Sequence, residues 1–309
     1  MSRRVPSRDM KRPDVLVLGG GGPLGEAWLR SLLAGLEAGS GWDLREADAF
    51  VSTSAGSIVA ATLAAGRRPR TADASERAAD ARKGTVPFLA PRGRAVGRPV
   101  AAVAGAVAPA VAAALEPAGR LARGAVLRRG PVPTREIPRL AAFLDELGAT
   151  WDGRLRVTAV DRASGKRVVF GAPGAPAATV TQAVLASCAV PWVFAPQRID
   201  GRDYVDGGAW SAANLDAAPV ERGSHVLCLL PTGSARVGRD PLGAYRLASR
   251  AGTRGESLLV RRRGATVQVV SPDPETVAAM GTDLFDPRRR AGVERAGYTQ
   301  GQAFVSTAA

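Results

Sequence analysis

Ala49-Phe50-Val51-Ser52-Thr53-Ser54-Ala55-Gly56-Ser57-Ile58-Val59-Ala60 is the stretch on which the reading of this chain turns. An apolar run with strand character passes directly into a run with helix character, and Ser54 stands at the junction. A serine at a sharp strand-to-helix turn is held with its hydroxyl exposed and its backbone strained. At the start of a helix it also meets free amides and the positive end of the helix dipole. Those conditions make a nucleophile of a weak alcohol. Two further segments give the junction meaning: Gly19-Gly20-Gly21-Gly22-Pro23-Leu24-Gly25 upstream and Tyr204-Val205-Asp206-Gly207-Gly208 downstream.

The pattern around these segments alternates strand and helix. Asp14 to Leu18 is a short apolar strand, and Glu26 to Ala38 carries apolar residues at helical spacing. Asp48 to Ser52 is a second strand and Ala55 to Ala65 a helix of small residues. Strand–helix–strand–helix spacing predicts a parallel sheet with helices packed on it. Further on, Ile137 to Leu147 and Val180 to Ser187 are helical. Arg154 to Asp161 with Arg167 to Phe170 forms a hairpin, and Arg198 to Val205 forms a second one. His225 to Leu230 and Ala265 to Val270 are strands, while Glu275 to Met280 and Arg289 to Ala296 are helices. Residues 1–13 form a polar basic tail and 14–309 a single domain, with an Ala-rich, lid-forming insertion over about 85–130. Within that insertion Pro99 to Leu115 is uncharged, but Gly105, Pro109 and weakly hydrophobic alanine argue against a membrane span.

Composition limits the function classes. The chain has 309 residues, 46% of them hydrophobic, enough for a large core. Cys188 and Cys228 are too few for a disulfide framework, and no apolar leader follows Met1, so a cytoplasmic, reducing setting is expected. Net charge is +14, nearly all from scattered arginines. No RNA-binding motif or aromatic interleaving accompanies them, so nucleic acid is not an expected partner. Peripheral contact with an anionic membrane is. The oligomeric state is open.

Gly20-x-Gly22-x-x-Gly25 matches a dinucleotide fingerprint, but that fold needs an acidic residue closing the second strand. Here that strand closes in Ser52-Thr53-Ser54. No lysine–hydroxyl pair follows the glycines, which excludes a P-loop. The run is then either a cradle of backbone amides for an anion or a turn needed only for packing. Asp206 closes a short strand and can act as a general base if burial raises its pKa; an ordinary Asp-Gly turn is the alternative. The one histidine, His225, completes the chain order Ser54, Asp206, His225 of an α/β-hydrolase triad. It starts a strand, however, whereas sites in parallel sheets lie at the strands' carboxyl ends. His225 is therefore expected at the opposite edge.

Gly-Gly-Gly-x-x-Gly, Ser-x-Gly at a strand–helix turn and then Asp-Gly-Gly together resemble the patatin-like phospholipase family. Ser187-Cys188-Ala189-Val190-Pro191 and Val205 to Asn214 add to the likeness. The resemblance implies a three-layer α/β/α fold with a mostly parallel sheet and hydrolysis of lipid carboxyl esters by a serine–aspartate dyad. Ser54 would be the nucleophile and Asp206 the base, with Gly20, Gly21 and Gly22 holding the oxyanion. No metal or organic cofactor is implied. Two positions depart from the family: Ser52 stands where its serine motif begins with glycine, which predicts some strain, and Leu24 stands where its loop often has a basic residue. Those departures and the basic surface leave a second reading, a catalytically impaired lipid- or membrane-binding protein on the same scaffold.

Overall fold

The computed structural model of the protein describes residues 11–69, 118–129, 132–234 and 241–306. The run Pro99–Leu115, most of the expected lid and residues 1–10 of the tail lie outside the described residues. In chain order the main elements are β1 (Val15–Leu18), α1 (Gly22–Ser40), β2 (Ala49–Thr53), α2 (Ala55–Ala64), α3 (Ala118–Arg129), α4 (Pro138–Leu147), β3 (Leu155–Asp161), β4 (Arg167–Phe170), α5 (Val180–Cys188), β5 (Gln197–Ile199), β6 (Arg202–Asp206), β7 (His225–Leu229), α6 (Pro241–Arg262), β8 (Thr266–Val270), α7 (Pro274–Met280) and α8 (Arg290–Ser306).

The sheet follows the hydrogen-bonded path β5-β6-β3-β2-β1-β7-β8, with β4 also on β3. The pairs β1–β2, β2–β3, β1–β7 and β7–β8 are parallel. The two sequence-expected hairpins, β3–β4 and β5–β6, are antiparallel, as is β3–β6. Strand side chains alternate between faces. Leu16, Leu18 and Phe50 pack with α1, α2, α4, α5 and α8, whereas Val15, Val17, Ala49 and Val51 pack with Leu215 and with Val260 of α6. Leu127 of α3 covers Val160 and Val205 further along that second face. Helices therefore lie on both faces of a mostly parallel sheet, the expected α/β/α architecture.

The sequence pattern did not predict α6, at 22 residues the longest described helix. Its buried side is built from Arg246, Ser249, Thr253 and Val260 rather than from a run of large apolar residues. Gly243, Gly252 and Gly255 dilute its helical signal further. Among the described residues no helix is long and apolar enough to cross a membrane.

Candidate active site

Ser54 is the N-cap of α2, with φ 51° and ψ −121°. A positive φ at a residue with a side chain is a strained backbone, held only where its surroundings over-determine it. Here several contacts do so. The Ser54 amide donates to Ser187 Oγ at 2.8 Å. Its carbonyl accepts from Ser57 N at 2.8 Å and from Ser57 Oγ at 2.6 Å. Two residues on, a Cβ at Gly56 would fall 2.0 Å from the Leu18 carbonyl oxygen. Only glycine lets α2 start this close to the end of β1.

Asp206 reaches this elbow through strand register. Thr158 of β3 pairs with Thr53 of β2, and the next residue, Ala159, pairs with Asp206 of β6. Thr158 and Ala159 have β4 as their other neighbour, so β2 and β6 share one edge of β3 and meet there end to end. Because β2 is parallel to β3 and β6 antiparallel, the ends that meet are both carboxyl ends. Ser54 and Asp206 are thus brought together from positions far apart in sequence.

The Asp206 amide donates to the Ala189 carbonyl at 2.9 Å, and its Oδ1 accepts from Gly208 N at 2.7 Å. Burial pushes the carboxyl up to about 6, opposed by the Ser54 hydroxyl and the Gly208 amide, which donate toward the ionised form. Ser54 is only 6% exposed and Asp206 only 5%. The expected exposed hydroxyl is therefore a buried one. The glycine loop crowds it from one side, with a Gly20 Cβ position 3.3 Å from Ser54 Cβ.

The glycine loop differs from expectation in one respect. The Gly20 amide donates to the Ala212 carbonyl at 2.8 Å, as Gly19 does to Leu229 at 2.9 Å. Gly20 therefore anchors the loop and has no free N–H for an anion. Gly21 and Gly22, at the N-terminus of α1, have no acceptor among the described residues, as the first amides of a helix usually do not. Gly22 has φ +61°, a conformation that suits glycine. Leu24 is wholly buried in the core, and its amide donates to the Leu284 carbonyl. Ser52 lies within β2, free of positive φ, and its hydroxyl donates to the Arg156 carbonyl at 2.9 Å. The backbone strain expected at the turn sits at Ser54, as read there, and Ser52 itself carries no positive φ.

Several supporting residues escaped single-residue reading. Asn214, at φ 52°, donates from Nδ2 to Thr53 Oγ1 at 3.1 Å, to the Ser211 carbonyl at 2.7 Å and to the Gly207 carbonyl at 3.3 Å. It thereby clamps the end of β2 to the turn after Asp206. Ser187 and Asn214 fall in the two runs that carried extra family likeness, which was the available signal. Tyr245 of α6 had none: a Gly208 Cβ would lie 3.5 Å from its hydroxyl oxygen and 3.0 Å from Asp206 Oδ1. His225 stands at the far rim, as expected, its amide donating to Asp14 Oδ2 at 2.8 Å.

A strained serine elbow, a buried carboxyl beside it and a glycine loop thus lie together on an α/β/α sheet. The patatin-like phospholipase family profile matches residues 16–219, and the chain belongs to that family. Among curated proteins none matches the chain. Of solved structures, VipD from Legionella pneumophila is 16% identical, with a TM-score of 0.43, over 96% of this chain and 67% of that one. The type III effector protein ExoU is 15% identical, with a TM-score of 0.38, over 96% and 53%. The ExoU–SpcU complex of the Pseudomonas aeruginosa type III secretion system gives 22% identity and a TM-score of 0.35 over 93% and 52%. The chain thus spans about half the length of the latter two. Family membership supports a lipid hydrolase.

Proposed function

We propose that the protein hydrolyses lipid carboxyl esters through a Ser54–Asp206 dyad. Asp206 takes the Ser54 proton, Ser54 Oγ attacks the ester carbonyl, and the Gly21 and Gly22 amides stabilise the oxyanion. Collapse of that intermediate expels the alcohol, which takes up the proton from Asp206. Water activated by Asp206 then releases the acyl group as a carboxylic acid and restores Ser54. The observation that carries this reading is the end-to-end meeting of β2 and β6, which sets a buried carboxyl against the strained serine. Gly20 plays an anchoring role in it.

The test is hydrolysis of p-nitrophenyl esters together with fluorophosphonate labelling. Ser54→Ala is expected to abolish both in a folded protein. Asp206 must be ionised to accept a proton, so kcat/KM is expected to rise with pH through a midpoint of about 6. A flat profile in that window would reject Asp206 as base. The alternative, a catalytically impaired lipid- or membrane-binding protein, drew on Ser52, Leu24 and the basic surface; of these, Ser52 and Leu24 are accommodated without disturbing the elbow. An unlabelled wild-type protein would restore it.

A further inference from the structure

All the exposed leucines among the described residues lie on one helix. Leu247, Leu258 and Leu259 of α6 are 57%, 60% and 51% exposed. The positions 247, 251, 254, 258 and 262 follow helical spacing and form one stripe. They hold Leu247, Ala251, Arg254, Leu258 and Arg262, all outward on the molecule. Val269, on the edge strand β8 against which α6 packs, is 41% exposed. The single acidic residue of α6, Glu256, is turned inward, its Oε2 accepting from Leu215 N at 2.9 Å.

We propose that the outer face of α6 is a docking surface for anionic lipid bilayers. Leucines can enter the acyl boundary while the long arginines keep their guanidinium groups at the headgroups. A purely apolar face would suit a protein partner equally well, but cationic residues set among the leucines match anionic headgroups. They also disfavour a second copy of this chain, since the two faces would repel.

The inner face of the same helix carries Tyr245 against the Asp206–Gly208 turn, two residues from Leu247. Docking would therefore hold the site one helix diameter, roughly 10–12 Å, from the bilayer where its substrates reside. That consequence rests on the acyl-hydrolase reading; the docking surface itself does not.

Flotation of the full chain with phosphatidylcholine vesicles, with and without phosphatidylglycerol, tests the surface. Binding to the anionic vesicles is expected, and Leu247→Ser/Leu258→Ser/Leu259→Ser should weaken it on the order of 100-fold. Arg254→Glu/Arg262→Glu should weaken it by about tenfold or more. Both variants should melt as the wild type does and retain hydrolysis of a soluble p-nitrophenyl ester. Equal flotation of wild type and both variants overturns the proposal. So does a wild-type dimer in sedimentation that the leucine variant dissolves, because a second copy would then own the face. Vesicle binding by a protein that hydrolyses no ester would remove the enzymatic reading and leave the docking surface standing.

Discussion

The two rims of the central sheet hold similar residue types and do different things with them. At the amino rim, Asp14 and His225 adjoin each other across β1 and β7. Asp14 Oδ2 accepts from His225 N at 2.8 Å, Asp14 N donates to the His225 carbonyl at 2.9 Å, and Asp48 N donates to the Asp14 carbonyl at 2.7 Å. Every one of these bonds aligns strand starts. At the carboxyl rim, β2 breaks into α2 at Ser54 and β6 breaks into a turn at Asp206. The chain ends its ladder there, so amides and a carboxyl remain with other work to do. A histidine and an aspartate on the wrong rim make a clamp, whereas a serine and an aspartate on the right one make a candidate dyad. Position in the sheet, not residue type, separates them.

The sharpest way to break this comparison is at the carboxyl rim. Ser54→Ala and Asp206→Asn are each expected to lower kcat for ester hydrolysis by about 10⁴-fold or more. The double variant should be no worse, because the pair acts as one unit. Additive losses in steady-state kinetics would show two independent groups. Next in size is Gly56→Ala, whose new methyl would meet the Leu18 carbonyl. Urea unfolding is expected to show a loss of about 3 kcal/mol, as for a badly overpacked core.

Glu256→Gln sharpens how the far face of the sheet supports the same rim. Burial, reinforced by the nearby Asp216, raises the Glu256 carboxyl from 4.5 to about 7. The folded protein then keeps a proton that the unfolded chain has released, so its stability falls as pH rises from about 4.5 to 7. Gln has no such proton to lose. Between pH 5 and pH 8 the wild type is expected to lose about 2–3 kcal/mol relative to Glu256→Gln in parallel urea titrations. The smallest effect belongs to the amino rim. His225→Ala is expected to leave kcat within a few-fold, since the Asp14 clamp uses the His225 backbone. A dead but folded His225→Ala protein would mean that the rims cooperate.

The sequence by itself determined what local chain chemistry can encode. Ser54 at an elbow, the strands and helices around it and the glycine loop depend on neighbouring residues and short-range periodicity. The placement of His225 at the far rim also followed, because a strand's direction in a parallel sheet fixes which end its first residue occupies. Tertiary structure alone decided the rest. Nothing in the order of residues says that β2 and β6 end head to head along β3, yet that register brings Asp206 to Ser54 and buries its carboxyl. The Gly20 amide is occupied because Ala212, nearly two hundred residues later, folds back onto it. Helix α6 was illegible because its inner face buries Arg246, Ser249 and Thr253. Arg246 is held there by the Gly281 carbonyl of a distant segment, and a periodicity search for apolar residues cannot detect a polar inner face.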